Sequence, residues 1–312
     1  MIFVTGGTGF LGSHIVRKLV DGGHAVRVLA RNRERAEDEG RLDGIPVDWA
    51  TGNVTEPASL TAALEGVDQI VHTAAIAIEK GEASYEKVNY QGTVNVVDGA
   101  QQAGIRRFIN ISQMGADPNL PYRFLASKGR AQAYVANSEL DWTAFRPSVI
   151  FGPEDEFANI FARLVPLSPV IYPIVGTEDS RFQPVWVDDV ASAVAQAVGD
   201  EGTIRNEYEL GGPEVLTLEE IERRTLRAID AQRIMIRFPM PLLRLIVALL
   251  ELTLPSPPVT RSLLELLQVS NVPSDNALDR FVKEPRAFTP ENVAAYMRTF
   301  RVGGTLKGFF SR

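Results

Sequence analysis

Short apolar runs alternate with helix-length amphipathic segments through the first half of the chain. The runs are rich in β-branched and aromatic residues, which is typical of buried strands. They are Ile2–Thr5, Ala25–Ala30, Val47–Trp49, Gln69–His72, Phe108–Ile111 and Trp142–Phe145. Strands separated by helices form right-handed crossovers, and these build a parallel sheet that is covered on both faces. The pattern therefore predicts an α/β fold with a doubly wound parallel sheet.

The regular alternation ends near Phe151, where proline becomes frequent. We expect one domain over residues 1–150 and a smaller, mostly helical C-terminal cap over residues 151–312. The strand-like run Tyr208–Leu210 ends at the breaker Gly211-Gly212-Pro213, so at least one segment of the second half is expected to return to the sheet. Asp188 and Asp189 precede a helical segment and are expected to cap its free N–H groups.

Composition narrows the function classes. The 312 residues are 45% hydrophobic, which suffices for a large core without metal or disulfide support. Cysteine is absent, which excludes thiol chemistry and fits a cytoplasmic location. The net charge of -7 argues against binding to nucleic acid, which requires a basic face. The three histidines lie in different elements without ligand spacing, so we expect no metal site.

The most apolar stretch runs from Phe238 to Leu254 and contains Arg244 and Glu251. It is shorter than the roughly 20 residues that span a bilayer, so we expect no transmembrane segment here. The composition fits a core helix, the wall of a ligand pocket, or a surface that docks peripherally onto a membrane or another protein.

A glycine-rich turn follows the first predicted strand and leads into a helix. Its sequence is Gly6-Gly7-Thr8-Gly9-Phe10-Leu11-Gly12. Glycines at this spacing permit a tight turn, a close approach of backbone to a pyrophosphate and close packing of helix on strand, while the helix N-terminus offers free N–H groups. The motif therefore predicts a Rossmann dinucleotide site, and the cofactor-binding residues in it are Gly6, Thr8, Gly9, Phe10, Leu11 and Gly12.

The end of the second strand carries Arg31 and Asn32 where such a site normally has an acid for the ribose hydroxyls. A guanidinium pairs with the 2′-phosphate of NADP, so this position favours NADP(H) over NAD(H). The alternative is a solvated arginine in the charged stretch from Arg31 to Arg41.

Several further motifs resemble those of extended and atypical short-chain dehydrogenases/reductases, the epimerase/dehydratase-like proteins. They are Gly52-Asn53-Val54, Val71-His72-Thr73-Ala74-Ala75, Lys128, Arg146-Pro147-Ser148-Val149-Ile150-Phe151-Gly152-Pro153 and Val187-Asp188-Asp189-Val190. Two runs, Leu140 to Pro147 and Gln183 to Ala191, are similar to the branch that contains the complex I 39 kDa subunit. The resemblance implies that further residues bind the cofactor, namely Asn53 and Val54 at the adenine, Thr73, Ala74 and Ala75 at ribose and pyrophosphate, and Pro147, Val149 and Ile150 near the nicotinamide.

The expected catalytic centre departs from that family. In that family, a catalytic tyrosine stands four residues before a lysine. This chain has the lysine, Lys128, but a phenylalanine, Phe124, at the tyrosine position. Tyr122 lies six residues before Lys128, on another side of a helix. Ser112 stands near the family's hydroxyl position, although Gln113 is an alternative. Lys128 can still bind the nicotinamide ribose through its charge.

Two functions are compatible with these residues. One is an oxidoreductase or epimerase that acts on a hydrophobic small molecule, and its support is the complete cofactor framework. The other is a catalytically silent NADP(H)-binding subunit, assembly factor or redox sensor that docks on a protein or membrane surface, and its support is Phe124.

Overall fold

The computed structural model describes residues 1–168, 170–174, 180–254, 259–267 and 269–297. Up to residue 151 the elements are β1 (Ile2–Thr5), α1 (Phe10–Asp21), β2 (Val26–Ala30), α2 (Arg33–Asp38), β3 (Asp48–Thr51), α3 (Pro57–Ala63), β4 (Gln69–His72), a π-helix (Glu86–Gln91) that continues into α4 (Gly92–Gln102), β5 (Arg107–Ile111), α5 (Arg123–Ala136), β6 (Asp141–Pro147) and β7 (Ile150–Phe151). They are followed by α6 (Ala158–Leu164), a 3₁₀ turn (Val165–Leu167), β8 (Ile171–Ile174), β9 (Arg181–Phe182), β10 (Val185–Trp186), α7 (Val187–Gly199), a second 3₁₀ turn (Glu201–Thr203), β11 (Asn206–Leu210), β12 (Leu216–Thr217), α8 (Leu218–Ala228), β13 (Ile234–Arg237), α9 (Met240–Thr253), α10 (Arg261–Leu266), α11 (Leu278–Phe281) and α12 (Pro290–Ala294).

Two compact units are assembled from segments that are distant in sequence. The first unit comprises Met1–Pro147, Val187–Leu210 and Ser274–Glu284. The second comprises the described residues within Ser148–Trp186, Gly211–Pro273 and Pro285–Arg312. The strand predicted at Tyr208–Leu210 lies in the sheet of the first unit, as β11 next to β6.

The first unit is built around a seven-stranded sheet in the order β11-β6-β5-β4-β1-β2-β3. Every neighbouring pair of strands is parallel. This is the doubly wound Rossmann arrangement that the hydrophobic pattern predicts. The direction of winding reverses between β1 and β4, and a crevice therefore opens beyond the carboxyl ends of those two strands.

The core of this unit explains why the strands are so uniformly apolar. Phe3, Ile70, Phe108 and Phe145 on neighbouring strands are fully buried. Helices cover both faces of a doubly wound sheet, so a central strand has no solvent-facing side to mark with polar residues. The central strands can therefore be recognised in the sequence as continuous apolar runs.

Helix α7 begins at Val187, so Asp188 and Asp189 lie in its first turn rather than before it. Asp188 Oδ1 lies 2.7 Å from His14 Nδ1 on α1. Asp188 thus joins α1 and α7, and the expected capping role of the two acids stays a prediction. Both acids still lie near the positive end of the helix dipole, which favours them there.

The second unit contains α6, α8, α9, α10 and α12 together with three two-stranded sheets, β7 with β10, β9 with β12, and β8 with β13. Its helical content was expected from the sequence, whereas the strand pairs were not. Their strands are only two to four residues long, and runs this short carry no measurable alternation. Among the described residues, none of the helices combines the length and apolar character that a membrane crossing requires.

A single arginine ties β5 to neighbouring elements of the first unit. Arg107 Nη1 donates to the Asp141 carbonyl and to Thr143 Oγ1, both at 2.8 Å. Its Nη2 donates to the Ala197 carbonyl at 2.6 Å and to Thr203 Oγ1 at 2.8 Å. Burial lowers the pKa of this guanidinium, and nearby carboxylates oppose that shift.

We expect Arg107→Met to lower the free energy of unfolding by about 3 kcal/mol, because it removes several charge-assisted hydrogen bonds and leaves partly buried acceptors without a donor. Arg106→Met is the matched control, since Arg106 is exposed and its side chain pairs with that of Asp141 at the surface. Urea unfolding of both variants measures the difference. Equal stabilities would contradict this role for Arg107.

Candidate functional site

The turn after β1 fits against its neighbours so closely that a side chain is excluded. Gly6 has a φ of +70°, and a Cβ there would lie 2.6 Å from Thr73 Oγ1 and 2.7 Å from the Ala74 nitrogen. A Cβ on Gly12 would lie 2.1 Å from the Gly6 carbonyl oxygen. The first turn of α1 and the end of β4 therefore both lie directly against the glycine turn.

No side chain among the described residues caps the N-terminus of α1. Its N-cap is Gly9, which offers no side chain, and the first turn contains no acid. The positive end of the helix dipole and several N–H donors are left for an external group. An anion such as a pyrophosphate fits this position.

A cleft of ≈ 580 Å³ opens at this point in the first unit. Twelve of the predicted cofactor-binding residues line it, namely Gly6, Thr8, Gly9, Phe10, Leu11, Gly12, Arg31, Asn53, Val54, Thr73, Ala74 and Ala75. They come from the carboxyl ends of β1 to β4, so the sheet topology gathers side chains and backbone from distant parts of the sequence.

Hydrogen bonds fix the backbone that forms the walls of the cleft. Arg41 Nη1 donates to the Thr8 carbonyl at 3.0 Å. Thr73 donates to the Thr5 carbonyl through its N–H at 3.1 Å and its hydroxyl at 2.8 Å. Asn95 Nδ2 donates to the Val54 carbonyl at 2.8 Å. The cleft is thus held open by the protein itself.

Arg31 differs from the other arginines of its charged stretch. Arg33 pairs with Glu37 at 2.8 Å and Arg35 with Glu39 at 3.1 Å. Arg31 is exposed at the end of β2, and no hydrogen bond or ion pair of its side chain is found within the part of the chain that the structure describes. Its guanidinium is thus available to a ligand in the cleft, whereas the ion-paired arginines are already engaged.

Asn32 has a different position from its neighbour. Its side-chain Oδ1 accepts from the Arg35 N–H at 2.9 Å and so caps α2. It does not line the cleft.

Beneath the cleft lies a buried histidine. His72 Nδ1 is 2.7 Å from Thr5 Oγ1, and Nε2 is 3.0 Å from Thr93 Oγ1. The Thr93 hydroxyl donates to the Asn89 carbonyl, so Nε2 carries the proton and Nδ1 accepts from Thr5. Burial, and then the charge of Lys128, lower the pKa of His72 to about 3. It is neutral near pH 7 and acts as a bridge between β1 and α4.

Lys128 lies on α5 and is buried. Its Nζ donates to the Ile111 carbonyl at 2.6 Å, and burial lowers its pKa to about 8. Phe124, one helical turn earlier, packs edge-on against the Tyr85 ring at 5.6 Å. Tyr122 is the extended N-cap that precedes the helix. A phenol is therefore absent from the helical position that faces the same way as Lys128.

Ser112 follows the residue whose carbonyl holds Lys128. Its N–H donates to the Phe145 carbonyl at 2.8 Å. Its hydroxyl oxygen is buried and has no hydrogen-bond partner among the described residues. The hydroxyl and the lysine thus both adjoin the end of β5.

The remaining predicted residues lie at the end of β6 and beyond it. Pro147 ends β6, and its carbonyl accepts from the Met114 N–H at 3.2 Å. Val149 and Ile150 belong to the second unit, where the Val149 carbonyl accepts from the Val185 N–H at 3.0 Å and Ile150 lies opposite Val185. Their contact with a nicotinamide stays a prediction.

Nine further residues line the cleft that the sequence analysis did not identify. They are Leu29, Gly52, Thr55, Glu56, Ile76, Glu82, Ala83, Lys87 and Val88. Lys87 and Glu82 form an exposed pair at 3.5 Å. Several of these residues lie next to a strand end already assigned to the site, and this proximity is the sequence signal that could have identified them. No group of side chains that resembles a metal site is found in the described ranges.

The chain is similar to known proteins over most of its length. A family described as NAD(P)H-binding matches residues 6–163. The chain is 29% identical over 290 residues to the mitochondrial NADH dehydrogenase [ubiquinone] 1 alpha subcomplex subunit 9 of Arabidopsis thaliana, covering 88% of this chain and 71% of that protein. It is 30% identical over 261 residues to a 3 beta-hydroxysteroid dehydrogenase/Delta 5-->4-isomerase of Mycobacterium tuberculosis, covering 73% and 69%.

Among solved structures, the UDP-glucose 4-epimerase of Thermus thermophilus in complex with NAD matches with a TM-score of 0.68. The sequences are 21% identical, and the match covers 98% of each chain. At this identity the likeness shows the fold alone. Together with the sequence relatives, it confirms the resemblance that the motifs indicate.

We expect Gly9→Val to abolish dinucleotide binding while leaving the fold intact. The Gly9 backbone is extended, and a Cβ there would approach only the Gly6 carbonyl oxygen, at 3.2 Å, so the added methyl groups fill ligand space instead. Fluorescence titration with NADPH and NADH, combined with thermal unfolding, measures both effects.

Two glycine variants complete this experiment. Gly199→Ala is a neutral control, because open space surrounds that position. Gly12→Ala is the opposite case, since its Cβ meets backbone, and it should lower the melting temperature clearly. Retained affinity in Gly9→Val would show that the cleft is not the dinucleotide site.

Proposed function

Because the chain belongs to the NAD(P)H-binding family, among the epimerase/dehydratase-like short-chain dehydrogenases/reductases, we propose that its cleft binds NADP(H) in preference to NAD(H). The observation that carries this proposal is Arg31, an exposed guanidinium without a protein partner among the described residues, at the end of β2 and within the cleft. A guanidinium at this position can pair with the 2′-phosphate of NADP(H) through charge-assisted hydrogen bonds. It would interact more weakly with the two neutral ribose hydroxyls of NAD(H).

The other residues take roles that follow from their positions. The uncapped N-terminus of α1, at Gly9 and Gly12, holds the pyrophosphate. Asn53 and Val54 contact the adenine, and the short side chains of Thr73, Ala74 and Ala75 allow a ribose and the pyrophosphate to come close. Lys128 binds the nicotinamide ribose, and Pro147, Val149 and Ile150 adjoin the nicotinamide.

Bound NADPH supplies a hydride to an electrophilic carbon. Reduction of a carbonyl also needs a proton at its oxygen, and a positioned acid usually provides it. Phe124 has no proton to give, and Lys128 Nζ is engaged by the Ile111 carbonyl. Ser112 has a buried hydroxyl with no other partner in the described chain, which suits it to hold a substrate oxygen. We infer slow or absent carbonyl reduction, with an impaired tyrosine–lysine centre.

A hydrophobic small molecule is the substrate class that we favour for any such activity. One relative is named for a hydroxysteroid, which is a lipid with a reactive carbonyl or alcohol. That name supports the class of compound and not a particular substrate.

A second candidate function is a catalytically silent NADP(H)-binding subunit, assembly factor or redox sensor. The packing of Phe124 against Tyr85 favours it, because an apolar edge-to-face contact occupies the usual place of the proton donor. The likeness to a subunit of a respiratory NADH dehydrogenase adds support. The two candidates predict different results for Phe124→Tyr. Turnover should rise if the protein is an impaired enzyme, and it should not change if the protein is catalytically silent.

We expect NADPH to bind more tightly than NADH, and Arg31→Ala to weaken NADPH binding about 10- to 100-fold, as the loss of a charge-assisted contact to phosphate implies. Affinity for NADH should hardly change. Calorimetric titration of both dinucleotides gives the comparison. Arg33→Ala is the control, since Arg33 already pairs with Glu37. A preference that survives in Arg31→Ala would refute this role for the arginine.

We expect Phe124→Tyr to raise carbonyl-reductase activity by up to about 10²- to 10⁴-fold while leaving NADPH affinity nearly unchanged, because it restores a proton donor one turn before Lys128. NADPH oxidation over a panel of hydrophobic ketones, aldehydes and quinones measures this effect. Phe124→Leu controls for lost packing against Tyr85, and Lys128→Met should lose cofactor affinity. Brisk turnover by the unmodified protein, with no gain from the tyrosine, would mean that the proton comes from another group.

A further inference from the structure

Exposed apolar side chains are concentrated in one part of the second unit. Eleven large hydrophobic residues are exposed among those that the structure describes, and nine of them lie within 170–171 and 234–252. We call these nine the apolar face. They are Val170, Ile171, Ile234, Ile236, Leu242, Leu245, Ile246, Leu249 and Leu252. Single exposed hydrophobics are ordinary on a protein surface, but nine of them within two short stretches of the chain indicate a binding surface.

Helix α9 supplies five members of the apolar face. Its exposed residues recur three or four positions apart, starting at Leu242, and so form a stripe along one side of the helix. Leu243 and Val247 on the other side are buried. An ordinary surface helix would have polar residues opposite its core side. Both sides of α9 are aliphatic. Packing against the rest of the protein explains the apolar residues of the buried side, but not those of the exposed side.

The strand pair β8–β13 supplies the rest. Ile171 lies opposite Ile234 in the parallel register, and both are exposed. The Ile234 N–H donates to the Val170 carbonyl at 2.9 Å. Ile236 points to the same face of its strand as Ile234, since side chains repeat every second residue. β13 ends only three residues before α9 begins.

Charge indicates what kind of partner fits this surface. From Arg233 to Leu254 the sequence contains three arginines and one acid, Glu251, although the chain as a whole has a net charge of -7. Glu251 pairs with Arg261 at 2.6 Å. Arg237 and Arg244 are exposed. Arg237 also pairs with Glu219 at 2.9 Å, so a lipid phosphate at Arg237 would share the guanidinium with that carboxylate. An aliphatic stripe accompanied by arginines is the composition of helices that lie in the interface of anionic bilayers.

A protein partner is less well matched. Energetically dominant residues in protein interfaces are commonly Trp and Tyr, with Arg. The stretch from Arg233 to Leu254 contains neither Trp nor Tyr. Aliphatic side chains of this kind suit disordered acyl chains, which require no matching pockets.

We propose that the apolar face binds the surface of a lipid bilayer with anionic headgroups, with α9 lying in the plane of the interface. A helix of 14 residues extends about 21 Å, so it lies along the membrane rather than across it. The aliphatic stripe enters the boundary between headgroups and acyl chains, and the arginines stay among the phosphates. This inference concerns the second unit and does not rest on the cofactor proposal.

The test is flotation of the full chain with vesicles of phosphatidylcholine, with and without phosphatidylglycerol. The protein should float with the anionic vesicles and much less with neutral ones. Leu245→Glu together with Leu249→Glu should weaken this binding about tenfold or more, since it places two charges in the apolar boundary. Arg237→Gln with Arg244→Gln should reduce the preference for phosphatidylglycerol.

Matched controls test whether vesicle binding depends on the apolar face or on exposed hydrophobic residues anywhere on the surface. Ile78→Glu and Val215→Glu alter side chains that are 52% and 51% exposed, close to the 58% of Leu245 and 54% of Leu249, but outside the apolar face. Both should float like the unmodified protein. Thermal unfolding checks that every variant is folded. Leu252→Glu, at a side chain 82% exposed, replaces the double variant if that one does not fold.

Three results would overturn the proposal. One is the absence of vesicle binding by the unmodified protein. Another is unchanged binding of the folded Leu245 and Leu249 or Leu252 variants. The third is a dimer in analytical ultracentrifugation that these substitutions dissociate, with no vesicle binding, since a second copy of the chain would then be the partner that covers the face.

Discussion

The absence of side chains at Gly6 and Gly12 is the constraint on which the first unit depends. The turn after β1, the first turn of α1 and the end of β4 share a space in which a single Cβ would overlap backbone atoms. Close packing at this point aims the helix N-terminus at the crevice that the reversal of strand winding creates. Without it, neither the cleft nor its favourable field for an anion would exist in this place.

The buried polar groups near the ends of β4 and β5 have distinct roles. His72 is kept neutral by burial and serves as a rigid bridge between two threonine hydroxyls. Lys128 keeps a titratable amine on the Ile111 carbonyl. Phe124, one helical turn before Lys128, carries no proton donor, while the hydrogen bonds of His72 and Lys128 remain in place.

The first unit could be predicted well from the sequence because its signals are local. Buried parallel strands give continuous apolar runs, and the residues that follow them must meet at one edge of the sheet, so the amino-acid sequence alone groups Arg31, Asn53 and Thr73. Other features depend on contacts that no local pattern encodes. Examples are the bond between Asp188 and His14 and the short strands of the second unit. The π-helix before α4 likewise has no sequence period of its own.

The burial of Lys128 makes the stability of the folded chain depend on pH. Its pKa is about 8 in the folded chain, against 10.5 for an exposed lysine. Below about pH 8 the folded state therefore retains a cation that burial disfavours, and this destabilisation is relieved as the pH rises towards 10.5. A negatively charged ligand nearby would stabilise the ammonium form and remove part of the strain. Ligand binding and proton uptake are then thermodynamically linked, and the occupied protein should resist unfolding in a pH range where the empty one is weakened.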